Sequence, residues 1–335
     1  MNTTEHPPTT PDVSLLQLTE YRIYDGLVAT GFLICLVIGL PGNCLALRYF
    51  LQTGKRNIST ILYMIICCID IVSSMIHLPV TFNWLNSRHP GLFGNRPFCK
   101  IWYFCILVLQ VMSIFVAMLL SLTRTIVIHL PFHKIKKNAV LSSIIVALLY
   151  NSVWNALDVI IMDDYYSYGF GYCAAESEGT YSTISMINYC VWTGIPPLIT
   201  LISVVDSMKR MNSRNLPDTF RRKNREASKT IMYFSAIFLV CNCLTFVNNA
   251  LYTVTSFENY PGPIYKHGFM FFYSWLLSEL FCTVLNATLN PILYFWRMKQ
   301  MREWLMRPVR NIFGSVSTTT VIANPTNLFQ GETTI

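Results

Sequence analysis

The stretch IWYFCILVLQVMSIFVAMLLSLT, residues 101–123, runs from Lys100 to Arg124 without a single formal charge. A helix rises about 1.5 Å per residue, so a segment of this length crosses the roughly 30 Å of hydrocarbon in a bilayer. Six more such stretches flank it. They run from Gly26 to Leu47, from Asn57 to Ser87 with Asp70 as the only formal charge, and from Lys137 to Asp158. The others lie between Glu178 and Asp206, between Lys229 and Glu258, and between Lys266 and Arg297, the last interrupted by Glu279. Backbone amides in hydrocarbon must be satisfied within their own segment, so each stretch is predicted to be a helix. The 335 residues are 53% hydrophobic and 13% charged, which is about half the charged fraction of a soluble domain. The expected fold is an all-α membrane protein, a seven-transmembrane helix bundle.

Positive charge sets the orientation, because cytoplasmic loops hold the excess of Lys and Arg. One side of the bundle takes Lys55, Arg56, Lys134, Lys136, Lys137, a dense run from Lys209 to Lys229, and Arg297, Lys299, Arg302, Arg307 and Arg310. The other side has Arg22, Arg88, Arg96, Lys100 and Lys266, together with most of the acids. The N-terminus is therefore expected outside and the C-terminus in the cytoplasm of a multi-pass plasma-membrane protein. The net charge of +8 then reads as a topology signal rather than a nucleic-acid surface.

Four regions follow. Residues 1–24 form an outer tail with no apolar run of signal-peptide length and with Asn2-Thr3-Thr4 as a glycan acceptor. Residues 25–297 form the seven-helix domain. Residues 298–313 alternate basic residues with Met301, Trp304, Leu305, Met306 and Ile312, a pattern suited to a short amphipathic helix on an anionic membrane surface. Residues 314–335 are rich in Ser, Thr and Asn and have little to bury, which predicts disorder. Of eleven cysteines, eight sit in apolar spans. Cys99, Cys105 and Cys173 lie near the outer face, where oxidising conditions let Cys99 and Cys173 pair and pin the long loop over the bundle mouth.

Asp70 is the most informative single residue, since a carboxylate within a span is costly and must be compensated. Asn286 and Asn290 are four apart, hence on one helix face, and Ser113 precedes Arg124 by about three turns. Two readings stand: a hydrated polar cluster of Asp70, Ser113, Asn286 and Asn290 that binds Na⁺, or a protonated structural aspartate. No other cofactor and no metal-ligand cluster is expected.

From Gly42 to Arg302 the chain resembles the rhodopsin-like (class A) G-protein-coupled receptors. The resemblance rests on ordered anchors: Gly42-Asn43, Asp70, Arg124, Trp154, a proline at Pro196 or Pro197, and Asn290-Pro291-Ile292-Leu293-Tyr294. The Cys99 to Arg124 spacing also matches. The resemblance implies that Arg124 contacts a heterotrimeric G protein and that Asn290, Pro291 and Tyr294 rearrange on activation. It implies a receptor, not an enzyme. Several positions depart from the family. The triplet Thr123-Arg124-Thr125 lacks the acid that would restrain the arginine, so elevated ligand-free activity is expected. The sixth-helix tryptophan and proline positions are Asn242 and Leu244, and no cysteine follows Cys282.

Amine receptors of the family place an aspartate eighteen residues before the arginine, where this chain has Ile106. Retinal receptors need a seventh-helix lysine, and none lies between His267 and Trp296. The outer third of the bundle instead offers Trp84, Trp102, Tyr103, Gln110, Tyr189, Phe246, Asn249, Tyr252 and Glu279 around Ile106, walls suited to a peptide or medium-sized organic ligand. Asp163, Asp164, Glu176 and Glu178 make the long outer loop acidic, which favours a basic neuropeptide. The Asn242 pattern also resembles some invertebrate peptide and chemosensory receptors, so a small-molecule cue is the alternative. A channel or transporter would more typically show repeats or further intramembrane charges, and an enzyme would need clustered catalytic groups. His77, His129, His133 and His267 are scattered. The C-terminal Glu332-Thr333-Thr334-Ile335 fits a PDZ ligand, and Ser315, Ser317 and Thr318 to Thr320 suit phosphorylation ahead of arrestin binding.

Overall fold

The structure, a computed structural model, describes residues 30–31, 33–53, 57–85, 96–130, 134–161, 164–166, 174–176, 180–212, 229, 232–233, 235–242 and 285–314. The first helix opens as a π turn, Cys35–Gly39, and continues as α1, Leu40–Gln52. Pro41 causes the change of pitch. It has no N–H to give to the carbonyl four residues back, and the neighbouring Leu40 N–H reaches Cys35 O instead.

The following helices are α2, Ile58–Leu85, α3, Arg96–His129, α4, Lys137–Ile161, and α5, Thr180–Asn212. Helical residues within 232–242 belong to α6 and 285–297 form α7. Last comes α8, Lys299–Gly314. Asn57 starts α2 as an N-cap, its Oδ1 accepting the Thr60 N–H at 2.8 Å. Between α4 and α5 the chain forms a short antiparallel hairpin of β1, Asp164–Tyr166, and β2, Ala174–Glu176, with Asp164 paired to Glu176. This hairpin is the one departure from an all-helical reading among the described residues.

Five of the described helices are long and apolar enough to cross a membrane. Their apolar sides divide into two kinds. The α3 window is 67% buried and packs on α2, α4 and α5, so α3 is the central post of the bundle. The α4 window is only 22% buried, and Val146, Leu149, Val153 and Ile160 on it are all more than 60% exposed. An exposed apolar face of this extent is stable only against lipid. At the end of the bundle that carries Arg124, Phe50, Tyr63 and Tyr294 pack ring to ring, with centroids 5.4–5.7 Å apart. Trp304 of α8 joins them through Tyr49 and donates its indole N–H to Gln52 Oε1 at 2.9 Å, which seats α8 on α1.

Candidate functional site

Asp70 is 2% exposed on α2, and its Oδ2 accepts a 2.7 Å hydrogen bond from Asn290 Nδ2 of α7. One turn earlier on the same α7 face, Asn286 donates to Ser113 Oγ of α3 at 3.2 Å. The four residues expected to meet therefore do so as two pairs across three helices, and among the described residues only Asn290 is bonded directly to the carboxylate. The backbone carbonyl of Asp70 accepts from Ser74 Oγ at 2.7 Å, and the Cys35 thiol lies 3.3 Å from that hydroxyl.

Below this cluster α7 carries Pro291, which cannot donate to the carbonyl of Ala287. Asn43 of α1 takes over that task. Its Nδ2 donates to Ala287 O at 2.8 Å and to its own helix at Gly39 O, 2.9 Å. A helix break that would strand a carbonyl in the membrane is thus satisfied from a neighbouring helix. Asn43→Leu removes both bonds and leaves Ala287 O without its partner, a loss of about 1–3 kcal/mol. The thermal midpoint of the purified protein is expected to fall by several degrees, and an unchanged midpoint in a scanning fluorimetry trace would refute this account.

Asp70, Ser73, Gln110, Ser113, Asn242 and Asn286 line a cavity of about 20 Å³, together with Ile69, Leu109, Ile114, Phe238 and Ala287. That is room for one water or one small cation. Asn286 Oδ1 is buried with no hydrogen-bond partner. One carboxylate and several neutral oxygens suit a monovalent hard cation, and the set therefore fits Na⁺. Among the described residues no group of three His, Cys, Asp or Glu converges as it would for a transition metal.

Arg124 is partly buried near the foot of α3, close enough to Tyr63 to act on it electrostatically. Its Nε has no hydrogen-bond partner. The flanking threonines turn elsewhere. Thr123 Oγ1 donates to Leu120 O at 2.9 Å, and Thr125 Oγ1 lies 3.1 Å from Ser203 O and 2.9 Å from Ser207 Oγ of α5. Below them His129 Nε2 meets Asp206 Oδ2 at 2.7 Å. Between α3 and α6, Ser121 Oγ and Ser235 Oγ are 2.9 Å apart. The Arg297 guanidinium of α7 stands 5.2 Å from the Tyr233 ring of α6 and 5.6 Å from the Trp296 ring. Tyr294 is 1% exposed, its ring edge against Phe50 and Tyr63. These inter-helix contacts at the Arg124 end were invisible in the sequence except as unremarkable Ser, Thr and Tyr positions.

Of the expected ligand-pocket residues, Trp102 is buried with its ring edge against His77, Tyr103 and Ile106 are half-buried, and Gln110 reaches the cavity. Trp84 and Tyr189 lie in described helices, but their side chains are outside the described residues, as is the side chain of Cys99. Phe246, Asn249, Tyr252, Glu279, Cys173 and Asn2 lie outside the described residues altogether, as do the PDZ and phosphorylation positions from 315 onward.

The bundle has the fold of rhodopsin. Squid rhodopsin superimposes with a TM-score of 0.66 over 89% of this chain and 88% of that one, at 18% identity. No protein-family model matches the chain. Its sequence is similar to mouse proteinase-activated receptor 2, 23% identical over 329 residues that cover 91% of this chain and 79% of the relative. The bovine counterpart is 24% identical over 313 residues, 87% and 76% of the two chains. The shared rhodopsin fold and the sequence likeness to these receptors together support a rhodopsin-like receptor, a multi-pass membrane protein.

Proposed function

We propose that the chain converts binding of an extracellular basic peptide into G-protein activation on the cytoplasmic side, with its N-terminus outside and its C-terminus inside. The observation that carries the reading is the polar chain from Asp70 through Asn290 to the Pro291 break and Tyr294, beside an arginine with an unpartnered Nε. A ligand that shifts α7 would change the hydrogen bonds that hold this chain. Arg124, Asn290, Pro291 and Tyr294 are the transducing residues, and Trp102, Tyr103, Ile106 and Gln110 are the described residues offered to the ligand.

The basic character of the ligand is supported by the hairpin register. The register pairs the acidic positions Asp164 and Glu176, which concentrates negative charge in this loop. A Cys99–Cys173 bridge would hold that hairpin over the bundle mouth. A panel of synthetic Lys- and Arg-rich peptides, applied to expressing cells with a second-messenger readout, tests this reading. Responses that weaken in an Asp164→Lys/Glu176→Lys variant support it, whereas responses only to small neutral molecules favour the chemosensory alternative. The relatives are named for activation by a proteinase, so trypsin added in place of peptide is the informative second arm. Substrate flux in proteoliposomes would indicate a transporter. Arrestin at phosphorylated Ser315, Ser317 and Thr318 to Thr320, and a PDZ protein at Ile335, complete the proposed partners.

The cavity at Asp70 is proposed to hold Na⁺ as an allosteric ion. Asp70 and Asn286 supply oxygens, and Ser113 and Asn290 keep them in place. Asp70→Asn is expected to abolish any stabilisation of the purified protein by NaCl over choline chloride. A variant that still responds to Na⁺ as the wild type does would remove the ion from the proposal.

A further inference from the structure

The sixth-helix Asn242 is the residue at which the sequence departs most sharply from its family, and the structure gives it a place. It is 7% exposed and lines the same cavity as Asp70, Gln110 and Asn286. Its Nδ2 donates to Phe238 O, four residues back on its own helix, at 2.7 Å. That bond fixes the amide, because with the nitrogen committed to the helix backbone the oxygen of the same planar group must point away from it. Among the described residues no hydrogen bond reaches Asn242 Oδ1. Asn242 is one of the residues that line the cavity. A side chain that serves only to cap its own helix could do so from a lipid-facing position. This one spends a buried amide in the bundle centre, where an oxygen without a donor is costly.

We propose that Asn242 is a ligand of the cation held at Asp70, so that α6 supplies an oxygen to an ion otherwise bound by α2, α3 and α7. This rests on the Na⁺ reading given above. Asn286 Oδ1, buried without a hydrogen-bond partner among the described residues, then gains a positive partner beside Asn242 Oδ1, and Asp70 balances a single positive charge. One carboxylate among the lining residues and room for one small occupant select a monovalent ion over Ca²⁺, which draws on more carboxylates and more ligands. The consequence is mechanical. An ion bound in this way ties α6 to the other three helices, and its release frees α6.

The test is thermal unfolding of the full-length purified chain in detergent across a NaCl series, with choline chloride holding the ionic strength constant. The wild-type midpoint should rise with Na⁺, and Asp70→Asn should be flat. Asn242→Leu should need about tenfold more Na⁺ for the same rise. Asn242→Asp adds a second carboxylate and should acquire a response to millimolar CaCl₂ that the wild type lacks. A flat wild type overturns the Na⁺ reading and this inference together. A wild-type rise that is lost in Asp70→Asn but kept at the same Na⁺ concentration in Asn242→Leu overturns the inference alone. If Asn242→Leu does not fold, Asn242→Asp decides: with no Ca²⁺ response and an unchanged Na⁺ titration, Asn242 is not a ligand.

Discussion

Replacing Gly42 by leucine should leave little protein at the cell surface and reduce the thermal midpoint of what remains by more than any other single change considered. A Cβ built on Gly42 would stand 2.7 Å from Pro291 Cβ and 2.9 Å from Pro291 Cγ, closer than real Cβ atoms come to any neighbour. The atoms it meets belong to a rigid ring, so no side-chain rotation relieves the contact. The α1 and α7 backbones must separate, and small residues at helix interfaces in membranes exist to let backbones approach. Overpacking of this kind costs about 1–3 kcal/mol. Here the separation also pulls Asn43 from Ala287 O and disturbs Asn290, which immediately precedes Pro291 and is bonded to Asp70. Gly39→Ala is the control. Its added methyl would meet Cys35 Sγ and Thr288 Oγ1 at 3.3 Å, side-chain atoms that can yield, so its effect should be slight. Cell-surface immunostaining alongside thermal unfolding checks both variants, and a Gly42→Leu protein at wild-type level and midpoint would show that the approach of α1 to α7 is not required.

Arg124→Ala should behave in the opposite way, with near-normal surface level and loss of signalling. Its Nε has no hydrogen-bond partner among the described residues, and the hydroxyls on either side are bonded to Leu120 O and to α5 rather than to the guanidinium. No acid stands beside it in the Thr123-Arg124-Thr125 triplet to hold it in an inactive position. Wild-type cells are therefore expected to show ligand-free second-messenger output above mock-transfected cells, and the alanine variant at matched surface level should return to mock. Silence in the wild type would point to other restraints at this end, for which the Arg297 clasp on Tyr233 and Trp296 and the Ser121–Ser235 bond are the structural candidates. Signalling that survives in Arg124→Ala would remove the residue from the coupling machinery.

Much of this was legible in sequence because the bilayer imposes a simple rule. A long uncharged run such as 101–123 has one stable conformation in hydrocarbon, and charge asymmetry between loops orders such runs. Asp70 stood out for the same reason, as did the need for partners on α7: Asn286 and Asn290 share a face by helical periodicity alone. Periodicity could not say which asparagine meets the carboxylate, since that depends on the rotation of α7 about its axis, set by Gly42 seated against Pro291. Nor could it show that Asn43 serves the carbonyl that Pro291 strands, because the two lie 244 positions apart in the chain.

Composition and apolar run length by themselves determined that the chain crosses a membrane as helices, and the family resemblance carried by Asp70, Arg124 and Asn290-Pro291 pointed to the kind of bundle. Only the tertiary structure decided that Asn242 faces the Asp70 cavity, that the hydroxyls of Ser121, Thr125 and Ser207 link helices, and that Arg297 stands against Tyr233. The physical reason is that run length and charge act within one segment. A hydrogen bond between helices depends on distances and rotations that no single segment contains.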